Sequence, residues 1–331
     1  LEPEWVGSSQ IYTSGFSTSL PEAVQLKALR TISGLEKVSF FRPGYAIEYD
    51  FFLPSQLKSS LETKNIKGLF FAGQLNGTSG YEEAAAQGLL AGINASLSVL
   101  DKPSVLLGRD QAYVGVLVDD LVTKETLEPY RIFTARAEHR LLFRHTNADL
   151  RLTEIGHSIG LVKDKEYDAV LNKQSFLNDF VSSAHRFRPN QNKTNKFFSC
   201  AGEPKTKNRL SVAEILRRPS VRLSELIRSS LVSVDLQSFS KEQRLDFLDE
   251  AETLIKYEGY IARQNTLIQR LSKNEETQIP NNFRYNQCSA LSKEAREKLS
   301  LVRPQTLGQA SRISGVSPAD VAALSVFIFS G

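Results

Sequence analysis

The sequence contains no methionine in 331 residues and does not begin with one. A chain of this length normally carries several, so two expectations arise. Either the sequence is a piece of a longer chain, or its methionines have been dropped as modified residues. Cysteine is nearly as scarce: Cys200 and Cys288 are far apart and sit in no metal or redox spacing. That excludes a disulfide framework and points to a reducing, cytoplasmic setting. No run approaches the roughly 18–20 apolar residues of a membrane span, and the longest, near 321–329, is too short, so no membrane partner is expected. The opening LEPEWVGSS carries no secretory signal. Two phosphate-binding signatures are also missing. The glycines at 73, 77 and 80 do not fit G-x-G-x-x-G, and no lysine follows Gly80 as a phosphate loop requires.

What is present is globular: 41% hydrophobic and 24% charged residues, over a length that suggests two or more domains. The stretch that organises the chain is 68–92, GLFFAGQLNGTSGYEEAAAQGLLAG. Residues 69–72 are a short apolar run bounded by glycines, as expected of a buried strand. A glycine turn follows, and then an alanine-rich helix from Tyr81 to about Leu100. The free N–H groups of the first helical turn and the helix dipole suit an anion or a polar cofactor edge. Ala84–Ala86, Gly88, Ala91 and Gly92 let something approach this helix closely. On pattern alone, an ordinary βα unit explains the same stretch.

Upstream, Ser19 is expected to cap a helix with Pro21 and Glu22 in its first turn, ending at Gly34. Residues 38–42 and 46–52 read as strands. Glu48 and Asp50 are candidate carboxylates or a solvated strand face. Asp119 and Asp120 follow an apolar run. A metal site would need further ligands that are not nearby, so a cap or salt-bridge role is expected.

The net charge of +4 is unevenly spread. Residues 131–151 hold five arginines, and residues 186–222 hold ten lysines or arginines. Such blocks are where a polyanion docks. Read as one helix, 130–153 puts Arg136, Arg140 and Arg144 at i, i+4 and i+8 along one side. A guanidinium stripe binds phosphate bidentately, although a surface helix paired with acids fits equally. His139 and His145 have no partner at ligand spacing and read as surface residues. Residues 154–179 look helical with an interruption at Gly156 and Gly160, and 187–209 read as a polar linker. A long helix is expected over 240–272, capped by Ser240 and interrupted at Gly259. Phe247, Leu254, Ile261 and Ile268 recur every seven residues along it. Three short helices follow, at 292–299, 306–313 and 317–327. The last two resemble a helix–turn–helix that either binds nucleic acid or simply packs.

The string FAGQLNGTSGYEEAAAQGLLAGINA resembles the second flavin-binding segment of the MnmG (GidA) family, the FAD-dependent subunits of the enzyme that modifies the tRNA wobble uridine at C5. STSLP, RPGYAIEYDFF, EPYRxFTxRAExRLxxRxxNADxRLT, KYEGYIARQ and RPQTLGQASRISGVSPADV resemble it too, in the expected order. One position departs from it: Ile132 stands where the family usually has methionine.

The resemblance implies an α/β fold, part of a two-dinucleotide-domain FAD-binding fold, followed by an all-α C-terminal domain. Residues 1–105 would complete the FAD domain. Residues 106–235 would be a mostly helical, basic, tRNA-facing region, and 236–331 a helical domain for tRNA and partner binding. Gly73, Gln74, Asn76, Gly77, Thr78, Gly80, Tyr81 and Glu82 would line the cofactor, with Gln74 where related flavoproteins carry an acid. Arg131, Arg136, Arg140, Arg144 and Arg151 would supply tRNA contacts, and Tyr45, Glu48 and Asp50 would gain value as site-lining residues. FAD reduced by NADH, the GTPase MnmE and a homodimer belong to the same implication. Neither the N-terminal dinucleotide fingerprint nor the family's upstream cysteines lie in the sequence, so catalytic residues are unassigned. A C-terminal portion is expected, inactive alone and binding FAD weakly or not at all. Two alternatives stand beside this reading: a non-catalytic RNA-binding scaffold, and an FAD oxidoreductase acting on a small molecule.

Overall fold

A computed structural model describes residues 1–124, 128–237, 239–280 and 282–330. They fall into two compact units, Leu1–Phe51 and Phe52–Gly331.

The first unit holds the described residues' one sheet, a ribbon of β1 (Glu2–Pro3) antiparallel to β2 (Ile11–Tyr12). Its helix α1 (Glu22–Arg30) has Pro21, not Ser19, at the N-cap. Gln25 is buried and ties α1 to the turn at 42–45. Its amide donates to the Leu20 and Gly44 carbonyls and accepts the Gly44 N–H. The strands expected at 38–42 and 46–52 do not form. The chain there finds no ladder partner, and without one an extended segment is not a strand. Tyr45, Glu48 and Asp50 lie exposed on it.

The second unit is helical. The run at 69–72, expected as a strand, makes only an isolated bridge between Phe70 and Glu62. The α/β part of the expected fold is therefore not seen as a sheet among the described residues, whereas the helical part is. Helix α2 (Tyr81–Val99) forms where the small-residue run places it. It turns Glu83, Gln87, Leu90, Asn94 and Leu97 inward, the i, i+4, i+7, i+11, i+14 face of a helix. Leu90 and Ala91 pack with Leu57, Leu61 and two valines of α3 (Tyr113–Thr123), Val118 and Val122.

The expected single helix over 130–153 is replaced by two 3-10 turns, Thr134–Arg136 and His145–Asn147, and by α4 (Ala148–Ser158). Tertiary contacts override the helical spacing. Residue 130 is held extended by a parallel bridge to Thr78, and Ala137 and Phe143 fold back onto Val116 of α3.

A larger bundle follows: α5 (Asp164–Arg186), α6 (Gln191–Cys200), α7 (Val212–Leu216), α8 (Leu223–Arg228) and α9 (Lys241–Lys256). Its core includes Leu177, Phe198, Leu216, Leu226 and Phe247. Helix α6 occupies the stretch expected as a linker. Asn190 caps it, Phe198 anchors it, and Asn195 closes the following loop through Thr206.

The long helix expected at 240–272 is broken at Tyr257 into α9 and α10 (Glu258–Glu276). Ser240 and Gln243 form the capping box that starts α9. No residue of α10 is buried. The last bundle comprises α11 (Lys293–Val302), α12 (Leu307–Arg312) and α13 (Pro318–Ser330), close to the spans the sequence predicts. Ser292 and Thr306 cap the first two. This bundle docks on the earlier part of the unit through polar contacts. The Lys64 ammonium donates to Ser55 O at 2.7 Å and Val302 O at 2.5 Å, and Gln309 donates to Ser59.

Candidate functional site

The glycine turn is built by its own backbone and three buried amides and hydroxyls. Residues Gly73–Asn76 form a 3-10 turn, and Gly73 (φ 68°) and Gly77 (φ 71°) are left-handed. A Cβ at Gly73 would meet the Ala84 Cβ at 3.3 Å, so turn and helix touch. The Thr78 hydroxyl donates to Gly73 O at 2.9 Å. The Gln87 amide donates to Thr78 Oγ1 and Glu83 O, and accepts from Asn76 Nδ2 at 2.8 Å. Asn76 Nδ2 also reaches Phe71 O, while its Oδ1 is buried without a partner. Asn76 and Thr78, both expected at the cofactor, thus hold the turn's shape. Gln74, Tyr81 and Glu82 stand exposed on it.

Helix α2 begins at Gly80 with no side-chain cap. Its first intrahelical bond runs from the Ala84 N–H to Gly80 O, and the N–H groups ahead of it have no helical carbonyl. Ala84, Ala85, Gly88 and Gly92 are exposed along the same helix. One carboxylate is already present. Glu83 is buried, its Oε1 accepting from Arg131 Nε at 3.0 Å and from the Ile132 N–H at 2.8 Å. Burial pushes the Glu83 carboxyl up, but the Ile132 N–H, its own N–H and Arg131 outweigh that and hold it below the ordinary range. Alone, an ionised group so close would disfavour a second anion. Arg131 neutralises this carboxylate, so the free N–H groups at the start of α2 stay open to a polar ligand edge or an anion.

The basic segment starts beside this turn. The Tyr130 N–H donates to Gly77 O at 2.8 Å. Tyr130 is buried, and its hydroxyl donates to Asp120 at 2.9 Å. Asp120 and Asp119 form the salt-bridge cluster expected of them: Arg109 reaches both, Lys124 pairs with Asp120, and Arg312 pairs with Asp119 and Glu275. Burial raises the Asp120 carboxyl, yet Lys124 and Arg109 prevail and keep it low. Burial and that carboxylate together push the Tyr130 hydroxyl up. Among the described residues no group of His, Cys, Asp and Glu is placed to hold a metal.

The five arginines have different fates. Arg131 pairs with Glu83. Arg136 donates to Arg131 O at 2.9 Å and lies 4.6 Å above the Tyr130 ring. Arg140 is exposed and has no side-chain partner among the described residues. Arg144 is drawn inward to Glu250 of α9, at 2.5 and 3.2 Å. Arg151 bonds Asn147 and Gln111 O and lies over Phe143. The stripe of Arg136, Arg140 and Arg144 along one helix is thus not formed. His145 is exposed, but His139, expected at the surface, is buried with Nδ1 unpartnered.

Sequence reasoning passed over Glu83 and Tyr130. The signal for Glu83 was available: it shares the inward face of α2 with Gln87, Leu90 and Asn94. An acid on a buried face announces a paired role.

Comparison with known proteins places the whole chain. Residues 1–103 match the family model "Glucose inhibited division protein A". Residues 164–265 match the tRNA modifying enzyme MnmG/GidA C-terminal helical domain, and 267–330 its C-terminal helical bundle. The tRNA uridine 5-carboxymethylaminomethyl modification enzyme MnmG of Lactobacillus acidophilus is 49% identical over 332 residues, covering 100% of this chain and 51% of that protein. The MnmG of Syntrophotalea carbinolica is 51% identical over 331 residues, covering 99% and 52%. The form II crystal structure of Aquifex aeolicus GidA superposes with a TM-score of 0.81 at 41% identity, covering 99% of this chain and 51% of that one. The chain spans about half the length of the curated relatives it matches.

Proposed function

The chain belongs to the MnmG/GidA family, and from that premise we propose that it serves FAD-dependent modification of tRNA. The reaction adds an aminomethyl or carboxymethylaminomethyl group to C5 of the wobble uridine, with NADH as reductant and the GTPase MnmE as partner. In this reading the protein works in the cytoplasm as a homodimer. Residues 1–105 complete the flavin domain, 106–235 face tRNA, and 236–331 meet tRNA and the partner.

The observation that carries the reading is the uncapped N-terminus of α2 beside the left-handed turn of Gly73 and Gly77, with an arginine segment anchored next to it. When bound, the flavin supplies the hydride and carbon transfer that an unactivated uracil C5 needs. The chain's own residues bind and orient. Gln74 offers an amide that donates and accepts without adding charge. Gly73, Asn76, Gly77, Thr78 and Gly80 shape the turn, and Tyr81 and Glu82 stand at its rim. Arg131, Arg136 and Arg140 present guanidinium groups to RNA phosphate. Arg144 and Arg151 hold that segment on its supports. A thiolate adding to uracil C6 would activate C5, and we assign that thiolate to neither Cys200 nor the buried Cys288.

Produced at the length of its family members, the protein should purify yellow and retain FAD, and Gln74→Ala should release it. A protein that stays colourless after incubation with FAD would overturn this function.

A further inference from the structure

Glu83 joins two segments that the proposed function assigns to different ligands. Its side chain is fully buried, in the first turn of α2, directly behind the cofactor turn. Its placement depends on Gly80, where a Cβ would lie 1.8 Å from Glu83 Oε2 and 2.9 Å from Arg131 Nε. Through Oε1 it holds both the Arg131 guanidinium and the Ile132 N–H. One residue earlier, the Tyr130 N–H is held by Gly77 O, from inside the turn itself. Residues 130–132 are thus pinned at three points, each on the glycine turn or the helix that follows it.

The pinned residues in turn hold Arg136. Its Nε donates to Arg131 O, and its guanidinium rests on the Tyr130 ring. Where Arg131 and Arg136 point is set by where 130–132 sit. Where 130–132 sit is set on one side by Gly77 and Glu83 and on the other by the Tyr130 ring, packed on Leu117 and Leu121 with its hydroxyl on Asp120.

We infer that Glu83 is a positioning residue that couples occupation of the glycine turn by flavin to presentation of Arg131 and Arg136 to RNA. This inference rests on the function proposed above. The physical basis is order. A ligand seated against the turn further restricts Gly73 and Gly77, which have the widest backbone freedom of any residue type and are already held by the Thr78 hydroxyl and the Gln74 carbonyl. Residues 130–132 are restricted with them, so RNA binding no longer bears that entropic cost. Linkage makes the effect reciprocal: bound RNA tightens flavin by the same factor.

The test is tRNA affinity of the protein at family length, flavin-loaded and flavin-stripped. Loading should tighten tRNA binding at least about threefold. In Glu83→Gln the ratio should fall to about one, because the amide no longer holds Arg131 by charge. Arg131→Met breaks the same pair from its exposed side and should also bring the ratio to about one. Arg140→Ala should weaken both affinities and keep the ratio. Hydrogen exchange at 130–136 should slow on flavin loading in the unsubstituted protein and not in Glu83→Gln. A ratio of one in the unsubstituted protein, or a ratio that survives both Glu83→Gln and Arg131→Met, overturns the coupling while flavin and tRNA binding stand. Failure of the unsubstituted protein to bind flavin or tRNA overturns the proposed function itself.

Discussion

Arg140 and Arg144 are four residues apart and alike in chemistry, yet the fold uses them in opposite ways. Arg144 neutralises Glu250, which is buried and also accepts the Thr146 hydroxyl at 2.9 Å. Removing the guanidinium leaves a buried carboxylate uncompensated, which costs about 3–5 kcal/mol. Arg144→Ala should therefore lower the urea midpoint sharply. Arg140→Ala touches nothing internal and should change stability by less than about 0.5 kcal/mol. On RNA binding it should act strongly, reducing the salt slope by about one for one lost phosphate contact. Composition shows an arginine-rich segment but cannot tell these two apart. The distinguishing partner, Glu250, lies 106 residues away, and no local spacing reports it. Glu83 is the opposite case, since its inward register on α2 could be read from the sequence.

Elements with local causes were legible. Ser240 caps α9 as expected, Ser292 and Thr306 stand at the starts of the helices expected at 292–299 and 306–313, and the small-residue helix α2 begins at Tyr81. Elements that depend on distant neighbours were not. The runs at 38–42, 46–52 and 69–72 have strand composition but meet no ladder. The polar stretch at 191–200 becomes a helix because Phe198 reaches a core made by α5, α7 and α9. One helical junction carries a prediction. Asp320 accepts the Ser317 hydroxyl and the Ser292 and Ser317 N–H groups, fastening the starts of α11 and α13 together. The Ser317 hydroxyl and the Ser292 N–H hold its carboxyl at about 2, below the unfolded value of 3.8. That stabilisation is complete above the unfolded value and is lost as pH falls toward about 2. Asp320→Asn should be less stable than the unsubstituted protein at neutral pH. The gap should close between about pH 4 and 2, as thermal melts across that range would show.

At the scale of the molecule, family strings conveyed more than periodicity did. They placed glycine turn, arginine segment and terminal bundle in order, though not the contacts between them. One such contact is the Lys64 ammonium, enclosed by Ser55 O and Val302 O. Burial, with Arg303 adding to it, lowers Lys64 from 10.5 to about 8. Between those values the unfolded chain binds more protons than the folded one, so folding stability should rise with pH across the window. Lys64→Met should flatten that rise, as denaturant midpoints on either side of the window would reveal.

The ion pair of Asp119 with Arg312 spans 193 residues of sequence. A ribosome adding roughly 5–20 residues per second exposes the acid about ten to forty seconds before its second guanidinium exists. During that interval Arg109 and Lys124 are the cations that keep the buried acid pair tolerable. Translation therefore sets a sequence of assembly in which α3 is seated early and the terminal bundle arrives as its closing clasp.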